Sequence, residues 1–155
     1  RMGAQDDLVS GQSTFFVEMR EVSQMLSGAT SESLLVFDEI GRGTSTYDGM
    51  SLAWAITEEV HAMGCISFVA THYLELSDLE KKCPRLKSFH LGVEDHDGRL
   101  IFTRKLVEGP ASRSYGIQVA QLADLPKPIL ARAKEKLGEL ENKRTRGLPL
   151  FEWRA

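Results

Sequence analysis

The sequence predicts an α/β fold with a mostly parallel sheet, flanking helices and one antiparallel hairpin. Two short apolar runs, 33–37 and 65–70, are separated by a helical stretch, the order that produces parallel neighbouring strands. Two further apolar segments flank Asp97 and Gly98, and Asp-Gly is a strong signal for a hairpin turn. With 155 residues, 42% of them hydrophobic and 26% charged, the chain is long enough for one domain with its own core.

The first predicted element is an amphipathic helix from Thr14 to Leu26. Apolar residues recur along it at the spacing of one helical face, namely Phe15, Met19, Val22 and Leu26. Gly28 is expected just beyond the end of the helix, because glycine adopts the left-handed conformation of a helix terminus without strain. The nearly continuous apolar run from Ser33 to Phe37 then predicts a strand buried on both faces.

A crossover helix is predicted from about Asp48 to Met63, with Gly64 ending it. It carries apolar residues in helical register, which are Leu52, Ile56, Val60 and Met63. The second strand, 65–70, follows directly. Since parallel strands joined by such a crossover run in the same direction, both strands are expected to finish at the same edge of the sheet.

The C-terminal part of the sequence predicts the hairpin and one more helix. The acidic residues 94–98 can also be read as the start of a calcium loop, but Arg104 stands where the bidentate glutamate belongs. The turn is therefore the preferred interpretation. The last helix opens near Asp124 and Pro126, and its predicted apolar face consists of Ile129, Ala133, Leu137 and Leu140.

Charge and cysteine content exclude several classes of protein. A net charge of −3 gives no overall basic surface for nonspecific nucleic-acid binding. Cys65 and Cys83 have neither zinc-ligand spacing nor the density of a disulfide framework. Because no apolar run approaches the roughly 20 residues of a membrane helix, we expect a soluble, reduced, intracellular chain. It begins at Arg1, so we expect it to be cut from a longer protein.

Three residues with useful chemistry follow the two predicted parallel strands. Asp38 and Glu39 come after the first strand, and His72 comes two residues after the second. Ligands of open α/β sheets bind at this edge, where one acid can hold a metal ion while the other orients a water molecule. The residues alone leave a second interpretation open, in which the acids cap the next loop and His72 is an ordinary strand-end histidine.

Three motifs resemble those of the MutS family of DNA mismatch-repair ATPases. Residues 35–49, LVFDEIGRGTSTYDG, look like its Walker B segment and following loop, and residues 70–73, ATHY, resemble its switch-histidine motif. Residues 10–19, SGQSTFFVEM, are similar to its version of the ABC signature element. The resemblance implies a P-loop NTPase-like fold of the ABC type and places residues 1–142 in the C-terminal half of the ATPase domain.

The resemblance also implies a role for individual residues. Asp38 would hold Mg²⁺, Glu39 would activate the hydrolytic water and His72 would contact the γ-phosphate of ATP. Ser13 would face the nucleotide held by the second subunit of a homodimer; a plain helix cap is compatible with this role and would be the preferred interpretation without the resemblance. Asp48, with the loop 44–46, would lie at the dimer interface.

Further partners implied by the resemblance are mismatched DNA, bound by regions upstream of this chain, and a MutL-type protein. The expected location is the bacterial cytoplasm, near the nucleoid. Within residues 143–155, a flexible tail, Leu148, Leu150 and Phe151 resemble a sliding-clamp-binding peptide, and a merely sticky chain end is the alternative.

The 155 residues contain no G-x-x-x-x-G-K-[ST] loop, which supplies the backbone cradle and the lysine for the phosphates. The strand that precedes this loop is expected to be missing as well, leaving an open sheet edge. We therefore expect the chain alone neither to bind ATP tightly nor to hydrolyse it. Two other functions remain open: a non-catalytic dimerisation or interaction module from a truncated relative, and a generic α/β regulatory domain that would leave the motifs unexplained.

Overall fold

The computed structural model describes residues 13–96 and 99–145. Along the chain, the helices and strands are α1 (Thr14–Gly28), β1 (Leu34–Asp38), α2 (Thr46–Met63), β2 (Ile66–Ala70), a 3₁₀ segment (Leu74–Lys81), β3 (Phe89–His96), β4 (Arg99–Glu108), α3 (Gly116–Leu122) and α4 (Lys127–Thr145). The chain divides into two compact units, Arg1–Leu91 with Lys105–Ala111 and Gly92–Arg104 with Ser112–Ala155. None of the described helices is long and apolar enough to cross a membrane.

Helix α1 confirms the first prediction and extends it at the C-terminal end. The Ser13 hydroxyl oxygen accepts a hydrogen bond from the Phe16 amide at 3.2 Å and so caps the helix start. Gly28 is the last helical residue rather than the one beyond it, because the cap falls on Ala29 in an extended conformation. The buried residues of α1 are Val22, as expected, and Glu18, which the apolar pattern did not include.

Strands β1 and β2 confirm the predicted parallel pair. Their register runs from Leu34 opposite Ile66 to Asp38 opposite Ala70, so both strands end at the same edge of the sheet. Helix α2 makes the crossover between them. It ends where the sequence predicted, at Gly64, whose φ of 80° is the left-handed conformation that favours glycine.

The prediction that β1 is buried on both faces is wrong for the described residues. Leu35 and Phe37 are buried, whereas Leu34 and Val36, on the opposite face, are 62% and 40% exposed. Ile66 and Phe68 of β2 are also exposed. Helices α1 and α2 cover the face that carries Leu35 and Phe37, whereas the face that carries Leu34 and Val36 is partly exposed.

One hydrophobic core lies on the covered face of the sheet. It joins side chains from α1, β1, α2 and the 3₁₀ segment, and its buried members are Val22, Leu35, Phe37, Ile40, Ala53, Ile56, Val60, Tyr73, Leu76, Leu79 and Cys83. The predicted face of α2 is shifted slightly, because Ala53 is buried where Leu52 was expected and Leu52 is exposed. This core holds β1 in place, and with it the edge of the sheet at which β1 and β2 end.

Strands β3 and β4 form the expected two-stranded hairpin. The Gly109 amide donates to the Ser88 carbonyl and the Thr103 hydroxyl donates to the Gly92 carbonyl, so the partners run in opposite order along the chain. The predicted turn residues Asp97 and Gly98 lie outside the described residues. So do the tail residues Leu148, Leu150 and Phe151.

Helix α4 corrects the predicted apolar face of the last helix. Leu130 is buried, while Ile129 and Leu137, which the sequence placed on the inner face, are 53% and 43% exposed. Ile129 and Leu130 are adjacent and each fits a different face of the helix. The helical period alone therefore did not indicate which of these two faces is buried. In the second compact unit, α4 packs against α3.

Candidate functional site

The acid pair and the histidine leave the sheet at a common edge. Asp38 is the last residue of β1 and lies opposite Ala70, the last residue of β2. The Glu39 amide continues the ladder by donating to the Ala70 carbonyl at 2.9 Å, and His72 follows two residues later. The parallel pairing therefore brings the backbones of all three residues together where the strands end.

The strand has already ended at Glu39. Its φ of 55° is left-handed, which is uncommon for a residue with a side chain, so Glu39 opens a turn rather than extending β1. Side chains of successive strand residues point to opposite faces, but this constraint does not apply across the strand end. The turn thus frees Glu39 from the alternation of side-chain directions that a continued strand would impose on Asp38 and Glu39.

Arg42 holds the carboxylate of Glu39 in this structure. The Arg42 Nη2 to Glu39 Oε2 distance is 2.5 Å, with the arginine side chain 65% and the glutamate side chain 29% exposed. Pairs this exposed contribute about 0–1 kcal/mol. The ion pair consequently orients the Glu39 carboxylate, and little free energy is needed to break it. Sequence reasoning did not single out Arg42, although the three-residue spacing within a turn is compatible with such a pair.

Asp38 is exposed at the strand end, where it is accessible to an ion. No group of three or more histidine, cysteine, aspartate or glutamate side chains with metal-binding geometry exists among the described residues. A protein cage for calcium or zinc is therefore not formed by this part of the chain. Mg²⁺ needs less protein, because it is commonly bound through one or two carboxylates together with substrate phosphates and water. A single exposed aspartate suits that ion.

His72 is exposed, and its ring lies beside that of buried Tyr73, with 4.1 Å between the ring centroids. The Tyr73 amide donates to the Thr71 hydroxyl oxygen at 3.0 Å, a short local turn directly after β2. Tyr73 therefore anchors the segment in the core. His72, its neighbour, stays available to a ligand at the strand ends.

Three residues contact Gly41 within the turn that follows Glu39. The Gly41 amide donates to the buried Glu18 carboxylate at 2.8 Å, and the Tyr73 hydroxyl donates to the Gly41 carbonyl at 3.0 Å. Gly49 lies against the same peptide, since a Cβ there would be 2.3 Å from the Gly41 oxygen. We call Glu18, Gly41, Gly49 and Tyr73 the Gly41 clamp. None of its contacts was predicted from the sequence.

The hydroxyl group of Tyr73 stays protonated within this clamp. Burial is the largest cause of a raised pKa for Tyr73, the nearby charge of Glu18 raises the pKa further, and Arg42 opposes the shift. A protonated hydroxyl is the form that donates a hydrogen bond to the Gly41 carbonyl. The charges of Glu18 and Arg42 thus both act on the buried hydroxyl oxygen of Tyr73.

Ser13 and Asp48 lie at helix starts rather than at the strand ends. Ser13 caps α1, whose first turn is close to the loop after β1, since a Cβ on Gly43 would be 2.9 Å from that of Phe15. The Ser45 hydroxyl donates to the Asp48 carboxylate at 2.7 Å and accepts from the Asp48 amide, an arrangement that closes the first turn of α2. Ser13 therefore has a structural role as the cap of α1, and Asp48 has one as the partner of Ser45, which caps α2.

Comparison with known proteins gives one consistent result. The family described as MutS domain V matches residues 1–141. The chain is 51% identical over 152 residues to the DNA mismatch repair protein MutS of Roseiflexus castenholzii, covering 96% of this chain and 14% of that protein. It is 55% identical over 144 residues to the protein of the same name from Desulfosudis oleivorans, covering 91% of this chain and 16% of that protein.

A third similar protein is the DNA mismatch repair protein MutS of a Geobacillus strain, with 54% identity over 147 residues, 94% of this chain and 17% of that protein. The chain thus spans between 14% and 17% of the length of these curated relatives.

Proposed function

The chain belongs to the MutS family, and from this membership we propose that it is the C-terminal half of an ATPase domain that couples ATP binding and hydrolysis to mismatched-DNA recognition and signalling. The observation that carries the proposal is the common edge at which β1 and β2 end, where Asp38 and Glu39 follow one strand and His72 follows the other by two residues. The parallel pair and its helical crossover also support a P-loop NTPase-like sheet of the ABC type.

Each residue of the edge has a distinct task in this proposal. Asp38 holds Mg²⁺, which, when bound, neutralises charge on the β- and γ-phosphates of ATP. Glu39 accepts a hydrogen bond from the attacking water and orients it. The exposed His72 imidazole donates a hydrogen bond to an oxygen of the γ-phosphate. These tasks are mainly positional, which agrees with phosphoryl transfer as a reaction governed by placement and charge stabilisation.

In this proposal the Glu39 carboxylate is either paired with Arg42 or free to bind water. When Arg42 is paired with the Glu39 carboxylate, the carboxylate is occupied and a water molecule has to compete for its oxygens. Because the pair is largely exposed and weak, an arriving anionic phosphate can attract the guanidinium and free Glu39. The proposal therefore has Glu39 acting on water only when a phosphate is present.

Dimerisation completes the site in this proposal. The start of α1 presents the positive end of a helix dipole near Ser13, which suits an anion. Ser13 faces the nucleotide of the second subunit, and Asp48 with residues 44–46 contributes to the interface. Mismatched DNA, bound through other regions, and a MutL-type protein are further proposed partners, with a sliding clamp bound through Leu148, Leu150 and Phe151.

The test of this proposal compares ATP hydrolysis by the full-length protein that carries these residues with hydrolysis by the 155-residue chain alone. We expect Mg²⁺-dependent hydrolysis by the former and none by the latter, because the G-x-x-x-x-G-K-[ST] loop is not among the 155 residues. A full-length protein that dimerises without hydrolysing ATP would instead make this chain part of a non-catalytic interaction module.

A further inference from the structure

We propose that Glu18 and Tyr73 are positioning residues that hold the amide and the carbonyl of Gly41, the two peptide groups that flank this residue, and so set the turn that carries Glu39. The inference deepens the proposed function and rests on it for its catalytic consequence. Neither residue is expected to touch nucleotide. They act through the backbone that connects Glu39 to Arg42.

The Gly41 peptide is held by long-range contacts rather than local ones. Its amide donates to a side chain 23 residues earlier in the chain, and its carbonyl accepts from a side chain 32 residues later. Both bonds are buried. Turns at a protein surface usually satisfy their backbone groups locally or with water, so two buried side chains from distant elements indicate that this turn has one enforced conformation.

The charge on Glu18 strengthens this argument. Glu18 is 3% exposed, and burial of a carboxylate is unfavourable unless hydrogen bonds compensate for the lost water. A neutral side chain would fill the same helix position at lower cost. The carboxylate supplies a strong acceptor for the Gly41 amide, since hydrogen bonds to a charged group are shorter and stronger than neutral ones.

The backbone of the turn has little room to move within the clamp. Gly41 has a φ of 89°, and a Cβ on it would lie 2.6 Å from the Gly49 Cα. A Cβ on Gly49 would in turn lie 2.4 Å from the Tyr73 hydroxyl oxygen. The first turn of α2 therefore forms a wall behind the peptide, and Glu18 and Tyr73 fix it against that wall.

This arrangement links three parts of the proposed site. Glu18 belongs to α1, the helix that Ser13 begins, whereas Tyr73 is bonded to His72 and its ring lies against the imidazole. A displacement of α1 moves the acceptor of the Gly41 amide and with it the turn after Glu39. Docking of the second subunit's nucleotide at Ser13 would consequently be transmitted to Glu39 and His72 through the Gly41 clamp.

The positional part of the proposal is tested by amide hydrogen exchange in the full-length protein. Glu18→Ala removes the acceptor, and we expect the Gly41 amide to exchange at least about tenfold faster while amides in the middle of α2 keep their rates. Glu18→Gln retains an acceptor oxygen and should restore part of the protection. Unchanged exchange of the Gly41 amide in Glu18→Ala would overturn the proposal.

The catalytic part is tested with Tyr73→Phe and Glu18→Ala in the full-length protein. We expect kcat for ATP hydrolysis to fall about tenfold with KM within about twofold, because misplaced groups slow the chemical step more than they weaken binding. Thr57→Val is the matched control, since it also removes a buried hydroxyl, one that donates to the Ala53 carbonyl within α2, and it should keep the wild-type kcat. Wild-type kcat in both clamp variants would overturn this part.

The two failures are distinguishable. If the wild-type full-length protein does not hydrolyse ATP, the proposed function is overturned together with the catalytic part of this inference, and exchange of the Gly41 amide still decides the positional part. If the wild-type protein hydrolyses ATP and the clamp variants do so equally fast, the proposed function stands and the catalytic part of the inference is overturned.

Discussion

The backbone amide of Glu39 donates to the carbonyl of Ala70 at 2.9 Å, one step beyond the last register pair of the two parallel strands. This bond fixes where the chain turns away from β1 relative to where it leaves β2. The side chains that follow each strand therefore start from a defined separation. The roles proposed for Asp38, Glu39 and His72 depend on that placement.

Replacement of the proposed hydrolytic residue should separate chemistry from binding. Glu39→Gln removes the charge that orients water and keeps the shape, so we expect kcat for ATP hydrolysis in the full-length protein to fall about 10²–10⁴-fold. The affinity for ATP should remain within a few-fold. Glu59→Gln, an exposed change on α2, is the matched control and should leave kcat unchanged. Equal kcat values for the two variants would remove Glu39 from the mechanism.

A change at Asp38 should appear as an altered requirement for metal. Asp38→Asn weakens a direct or water-mediated contact with Mg²⁺, so half-maximal ATPase activity should need about tenfold more Mg²⁺. The measurement is a Mg²⁺ titration at fixed ATP concentration. Loss of activity at every Mg²⁺ concentration with no shift in the midpoint would speak against a metal role.

Mixed dimers test whether Ser13 acts on the opposite subunit. Ser13→Asp keeps a good helix cap but places negative charge near the nucleotide, so the variant should fold normally and lose activity. Mixing it with Glu39→Gln creates dimers in which one site has both native residues. Random mixing should restore about a quarter of wild-type activity, since half of the dimers are mixed and each has one intact site. No recovery would mean that Ser13 acts within its own subunit.

The close approach at Gly49 predicts a loss of stability. Gly49→Ala places a methyl group against the Gly41 oxygen and the Tyr73 hydroxyl, and we expect the free energy of unfolding to fall by about 1–3 kcal/mol. Gly138→Ala is the control, because nothing lies within 4 Å of the added Cβ on α4 and alanine favours helix. That change should stabilise the chain by about 0.5–1 kcal/mol. The measurement is the free energy of unfolding of both variants in denaturant. Equal stability of Gly49→Ala and wild type would contradict the close approach of Gly49 to Gly41 and Tyr73.

Tyr73 should make stability depend on pH in the alkaline range. Its pKa is raised above the ordinary value of 10.0, mainly by burial, so the folded chain keeps the proton at pH values where the unfolded chain has lost it. The stabilisation is fully present below pH 10 and is lost as the pH rises towards the folded-state pKa. Wild-type unfolding free energy should therefore fall more steeply above pH 10 than that of Tyr73→Phe. Parallel profiles for the two proteins would refute the assignment.

The parallel pair and its crossover were predictable because the signals are local. Each strand is a short apolar run, α2 has a helical period, and Gly64 marks its end at a left-handed residue. The order of these elements then determines that both strands end together. For the same reason, the sequence predicted that the chain segments after the two strands, which carry Glu39 and His72, leave the sheet at one edge.

The Gly41 clamp was not predictable because its contacts are long-range and one of its members breaks the pattern. Glu18 lies among apolar residues of α1, and periodicity assigns a glutamate to the solvent-facing side although it is buried. An apolar run in the sequence also does not indicate which other element packs against it. Val36 belongs to a strong apolar run and is nevertheless 40% exposed, because packing depends on the presence of a second layer.

The most direct test of the account is a crystal structure of the full-length protein with Mg²⁺ and a non-hydrolysable ATP analogue. We expect the metal ion beside Asp38, the γ-phosphate within hydrogen-bond distance of His72, and a water molecule between that phosphate and Glu39, with Arg42 no longer paired to it. A nucleotide bound away from the C-terminal ends of β1 and β2 would contradict the central claim.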